Sequence, residues 1–301
     1  MLCGVLCLFI MPNSAARAWW LSSTERRIAV ERLEHASGRY VERPELAALG
    51  EPTGARTRPV VKKPWLRDSL RAFVDPQIYL ICALGFCSAL NVYSISYFAP
   101  IIVKEINDYT TVRAMLMSCP PFAASFVYCT CIAFVSDFFR LRVVTALPAA
   151  LIQTTGCAVV LGSTVGTTRY GGIFLLTAGA FSLPPALFAW VSNNSFGAHK
   201  RSTAMAILIV FTNCAGLTSC WLFDQKTEKP RFTRGVSTLL AHSVLAIVLV
   251  LVLELYLMWE RRMRAHGRRD HRVHALHNAG MTRDEIRAYL GDAHPEYLLE
   301  L

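Results

Sequence analysis

Apolar residues run along this chain in six blocks, at 77–103, 114–136, 143–168, 170–198, 202–223 and 236–259, joined by short polar connections. The first five contain no Asp, Glu, Lys or Arg, and the sixth contains one such residue, Glu254. A hydrocarbon core about 30 Å thick is crossed by roughly 20 apolar residues in helical form. In lipid every backbone N–H and C=O must be satisfied within the segment, which makes each block a helix. The pattern therefore predicts an all-α membrane protein, a six-helix transmembrane bundle over 77–259, with the end of the fourth block looped.

The flanks read differently. Residues 1–12 are apolar but short, about 16 Å of helix, and no basic residue precedes them as a signal peptide would require. They read as the remnant of a preceding transmembrane helix. Residues 13–76 form a polar loop with one amphipathic helix. Ser22-Ser23-Thr24-Glu25 has the spacing of a capping box, with a helix expected to continue to Arg39. Residues 43–64, rich in Pro, Gly and charge, read as loop. Asp75-Pro76 has the form of an N-cap followed by Pro at the first helical position. The tail, 260–301, opens on a basic run suited to an anionic leaflet. It also carries a second capping box, Thr282 to Glu285, predicting a short helix at 283–290.

Charge then gives an orientation. Lys and Arg number 31 against 21 Asp and Glu. If the segment before Gln77 is cytoplasmic, six crossings return the tail to the same side. The cytoplasmic segments then hold 24 of the basic residues and the outer loops 7. The positive-inside rule is properly counted near the helix ends. With everything before Val61 and after Val273 set aside, the balance is still 14 to 7. Both termini are expected in the cytoplasm. The basic excess does not indicate nucleic acid, because the aromatic residues lie in the apolar blocks and not among the basic runs.

The ten cysteines all fall in apolar segments and none in an outer loop, so they read as small buried hydrophobes and not as a disulfide framework. Cys129-Thr130-Cys131 lacks zinc-ligand spacing and a second pair. His271, His274 and His277 recur in a solvated basic tail. No phosphate-cradling glycine loop, nucleophile triad or zinc protease motif occurs, so neither an enzyme nor a cofactor is expected.

Several local patterns converge in order. They are Met11-Pro12-Asn13-Ser14, Trp20-Leu21-Ser22, Glu25 to Arg32, Asp75-Pro76, Tyr97-Phe98-Ala99-Pro100-Ile101-Ile102, Pro120-Pro121 and Ser136-Asp137-Phe138-Phe139-Arg140. Then follow Trp190 through Asn193-Asn194-Ser195-Phe196-Gly197 to Lys200-Arg201, Asn213-Cys214-Ala215-Gly216 and Lys229 to Gly235. In this order they resemble the C-terminal half of the fungal allantoate-permease-like family of major facilitator transporters, the anion:cation symporters. The resemblance implies a twelve-helix relative of which this chain starts near the end of the sixth helix. It also implies a small organic anion as substrate, proton coupling and a plasma-membrane location. In such folds substrate lies between two half-bundles near the midplane, so a complementary N-terminal half-bundle is an expected partner. The alternative is a truncated, non-transporting membrane protein or a subunit that pairs with another half-bundle.

The candidate residues follow. Asn91, Tyr93 and Tyr97 form a polar face on the first span, and Asn213 stands in the fifth. Burying an uncompensated amide costs roughly 2–7 kcal/mol, so each needs a wet cavity or a partner helix, and both readings stand. Trp190 and Asn194 either face the cavity or cap and pack the helix end. Asn91, Tyr97, Trp190, Asn194 and Asn213 are thus the substrate-binding candidates. Ser136, Asp137, Arg140, Arg142, Lys200 and Arg201 are the candidates for a cytoplasmic gate, Asp137 capping a helix or pairing with Arg140. Glu254 and His242 are ionisable groups inside a span, a position that suits proton relay, although Glu254 is close enough to the interface to reach water.

Overall fold

The computed structural model describes residues 18, 20–29, 65–107, 109–139, 141–222 and 232–268, and the isolated positions 270, 273, 277, 286, 290 and 293–295. Seven helices organise them: α1 (Trp65–Val74), α2 (Pro76–Asn107), α3 (Thr111–Phe139), α4 (Val143–Gly162), α5 (Gly166–Asn194), α6 (Ala198–Ser219) and α7 (Thr233–Ala265). A further helical segment occupies 23–29, and no strand occurs among the described residues. Helices α2 to α7 are each long and apolar enough to cross a membrane. Among the described residues the fold is an all-α bundle of six membrane-length helices.

Local chemistry sets the ends. Ser22 N–H donates to Glu25 Oε2 at 2.9 Å and Glu25 N–H donates to Ser22 Oγ at 3.3 Å, the reciprocal pair of a capping box. These two bonds hold the Glu25 carboxyl below its usual range. Asp75 Oδ1 accepts from Gln77 N–H at 3.1 Å with Pro76 as the first residue of α2. Between α4 and α5 only three residues intervene, and Arg169, in the first turn of α5, donates through Nε to Val160 O at 3.2 Å. That contact satisfies a carbonyl of the last turn of α4. Between α5 and α6, Gly197 takes φ 88°, a region nearly closed to residues with a Cβ.

The packing has a clear order. Helix α2 is central, touching α5, α6, α7 and α3, and 67% of its most apolar window is covered by the rest of the chain. The closest crossing is α4 on α5, made by glycine. A Cβ on Gly156 would strike the backbone of Leu176, and one on Gly179 would strike Ala149 O and Gln153 N. Without a hydrophobic drive between helices in lipid, such close backbone approach supplies the van der Waals contact that holds them. Helix α3 lies on α5 through a narrow stripe of small residues, Ala114, Ser118, Pro121 and Ser125.

Two proline pairs, Pro120-Pro121 in α3 and Pro184-Pro185 in α5, interrupt the backbone bonding of these helices. One carbonyl freed by each pair is answered from the other helix. Tyr170 Oη donates to Met117 O at 2.8 Å, and Cys129 Sγ donates to Phe181 O at 3.7 Å.

Several sequence expectations fall outside the described residues: the helix remnant at 1–12, continuation of the first amphipathic helix beyond residue 29, Arg140, and most of 283–290. In that last stretch Ile286 and Leu290 are helical and buried. Helix α1 is an addition to the sequence reading, which placed no helix just before Asp75. All eight cysteines among the described residues are free thiols, and those residues hold no cluster of three metal-ligating groups.

Candidate functional site

Helices α3 and α6 are the least covered spans, with 11% and 22% of their apolar windows buried. Both touch α2. The broad surface they leave open is where the polar residues of α2 and α6 emerge.

Three side chains meet there. Tyr93 and Tyr97 stack one helical turn apart with ring centroids 6.0 Å from each other. Tyr93 Oη donates to Asn213 Oδ1 at 3.5 Å, and Asn213 Nδ2 donates to Ile209 O at 2.8 Å. The Tyr93 ring lies against Gly216, where a Cβ would come within 3.1 Å of the ring carbons. A glycine at 216 therefore lets the ring lie flat on α6. Tyr97 and Asn213 are exposed, so the wall presents a phenol, an aromatic face and an amide. An anion or a planar group can take hydrogen bonds from the phenol and amide and stack on the rings.

The other three substrate candidates are buried. Trp190 is sealed in the core with Ile81, Leu84, Leu187 and Leu208, and Asn194 is buried at the end of α5. Asn91 belongs to a polar node joining α2, α4 and α7. Gln153 Nε2 donates to Ser243 Oγ at 2.8 Å, Ser243 Oγ lies 3.4 Å from Asn91 Oδ1, and Cys157 Sγ is 3.9 Å from the same oxygen. Asn91 Nδ2 donates back to Cys87 O at 3.0 Å. All four node residues are fully buried. The node gives Asn91 the partner-helix environment weighed beside the cavity. The sequence reading named neither Gln153 nor Ser243; their polarity within apolar helices is the signal that could have found them.

The candidate gate residues form two contacts. Arg142 Nη1 pairs with Asp137 Oδ1 at 2.6 Å and also reaches Ser136 Oγ at 3.5 Å, while Ser136 Oγ donates to Leu141 O. Asp137 is well exposed, so the pair contributes under about 1 kcal/mol. The second contact was not anticipated: Lys200 Nζ pairs with Asp75 Oδ2 at 2.7 Å, both side chains largely covered. It ties the start of α6 to the N-cap of α2. Arg201 Nε donates to Ser195 O at 3.4 Å, bracing the same loop. Of the intramembrane ionisable groups, His242 Nδ1 lies 2.9 Å from Thr238 O, and Glu254 Oε2 is buried without a hydrogen-bond partner.

The chain is similar to fungal membrane transporters. It is 35% identical over 183 residues to the high-affinity nicotinic acid transporter of Saccharomyces cerevisiae, covering 60% of this chain and 34% of that protein. To an uncharacterized transporter of Schizosaccharomyces pombe it is 25% identical over 230 residues, 76% of this chain and 42% of the relative. To an MFS-type transporter of Penicillium expansum it is 23% identical over 277 residues, 88% and 49% of the respective chains. No family profile matches. The chain spans about half the length or less of these relatives. The comparisons thus support kinship with fungal major facilitator transporters as a class, and not with the allantoate permeases in particular.

Proposed function

We propose that this chain forms the C-terminal half of a proton-coupled secondary transporter for a small organic anion, with α2 and α6 supplying one wall of its central cavity. The observation that carries the reading is the exposed Tyr93–Tyr97–Asn213 wall on an apolar bundle. An exposed amide within a span is costly against lipid and at home beside water or substrate. Support for a carboxylate comes from the nicotinic acid transporter among the relatives. A complementary N-terminal half-bundle closes the cavity from the other side. Asp137–Arg142 and Asp75–Lys200 act on the cytoplasmic side, with both termini in the cytoplasm and the protein in the plasma membrane.

Uptake of radiolabelled nicotinate and related carboxylates in a permease-deficient yeast is the test, with this chain expressed alone and with an N-terminal half-bundle of a relative. Uptake restored only with both halves, and abolished by Asn213→Ala at unchanged expression, supports the proposal. Uptake absent in every combination, or indifferent to Asn213→Ala and Tyr97→Ala together, contradicts it.

A further inference from the structure

Helix α1 turns an apolar stripe outward at the place where the chain enters the membrane. Leu70, Phe73 and Val74 recur at i, i+3 and i+4 and are all exposed, Val74 by 81%. The opposite side buries Ala72 completely, and the helix lies along α6. A single residue, Asp75, separates α1 from the first residue of α2, so α1 cannot lie far from the surface that α2 enters. Its end is fixed from two directions. Tyr79, itself exposed in the first turns of α2, donates its hydroxyl to Phe73 O at 2.7 Å, and Asp75 is held by Lys200. A tyrosine that satisfies a carbonyl with its tip while its ring stays outward suits the interfacial belt of a bilayer. The apolar stripe therefore continues onto Tyr79 in the first turn of α2. In the sequence Lys62, Lys63, Arg67 and Arg71 stand close to the stripe against a single acidic residue in α1, Asp68, a basic excess that an anionic headgroup layer attracts.

We propose that α1 is an in-plane interfacial helix, its Leu70–Phe73–Val74 stripe set into the boundary between headgroups and acyl chains. A short helix with apolar side chains on one face and basic neighbours binds such a boundary by buried apolar area plus charge. Held there, it fixes the depth at which α2 starts and the position of the Asp75–Lys200 pair.

The test places p-benzoylphenylalanine singly at Phe73, at Leu255 on the outward face of α7, and at Asp137, in the full chain reconstituted in vesicles of phosphatidylcholine with phosphatidylglycerol. Irradiation and mass spectrometry then read the covalent adducts. All three positions are exposed, so the replacements leave the core intact, and equal thermal stability in detergent checks it. Phospholipid adducts at Phe73 matching those at Leu255, and several-fold above those at Asp137, support the assignment. A Phe73 yield no higher than that of Asp137 overturns it. Adducts at Phe73 to polypeptide in place of lipid also overturn it, showing a protein surface over α1.

Discussion

Tyr170 of α5 places its hydroxyl 2.8 Å from Met117 O in α3, and that carbonyl is the one Pro121 leaves without its usual i+4 donor. The proline in α3 is therefore tolerated because a neighbouring helix supplies the missing hydrogen bond. Cys129 plays the reverse role for Phe181 O, which Pro185 frees. The two proline-bearing helices are fastened at the carbonyls their prolines free.

Tyr170→Phe should destabilise the bundle by about 1 kcal/mol, near the upper part of the range for single interhelical bonds in membranes. Tyr128 is the control: its hydroxyl is buried without a partner, so Tyr128→Phe should be neutral or stabilising. Thermal unfolding of detergent-purified variants reads both.

Much of the bundle could be seen in the sequence, because membrane crossing imposes length and apolarity on each segment separately. All six spans appear, with ends shifted by a few residues where polar loops give no sharp stop. Helix α1 escaped notice because ten residues with two arginines and an aspartate look like loop when hydropathy is averaged. Its stripe of Leu70, Phe73 and Val74 was nevertheless there to read. The site was less legible. Asn91 and Asn213 are both amides in apolar helices, yet one closes a three-helix node and the other opens outward. That difference depends on helix rotation and on partners 66 to 152 residues away. Likewise the charge of Asp137 was evident, whereas its choice of Arg142 depends on the backbone of the turn.

The α4–α5 crossing should be intolerant of side chains at its glycines. Gly156→Leu and Gly179→Val are each expected to cost about 3 kcal/mol or more, since a Cβ meets backbone that cannot move aside. Gly162→Ala and Gly171→Ala, where a Cβ meets nothing within 4 Å, should be neutral. Yield of monodisperse protein and its melting temperature distinguish the two groups.

The two ion pairs should differ in coupling. Asp75→Asn retains the N-cap acceptor while removing the charge, so a double-mutant cycle with Lys200→Met isolates the pair. Its expected coupling is about 1–3 kcal/mol, between the values for surface and buried pairs. The same cycle on Asp137 and Arg142 should give under about 1 kcal/mol, because Asp137 is 69% exposed. Raised salt should weaken the second and spare the first.

In the polar node, Ser243 receives Gln153 and approaches Asn91. Ser243→Ala strands the Gln153 amide and should cost about 1–3 kcal/mol. Gln153→Leu should cost less than Ser243→Ala, since it also removes a carbonyl oxygen, Gln153 Oε1, that is buried without a partner. Equilibrium unfolding in mixed micelles measures the difference.

The central claim is that the chain crosses the bilayer six times with Asp75, Asp137, Arg142 and Lys200 on one side. Inserting single N-glycosylation acceptors, spaced by flexible linkers, tests it most directly in a microsomal translation system. Modification of acceptors placed in the α2–α3, α4–α5 and α6–α7 connections only, with none before α1, between α3 and α4, between α5 and α6 or after α7, is the predicted result. Modification of an acceptor before α1, or of one after α7, would contradict it.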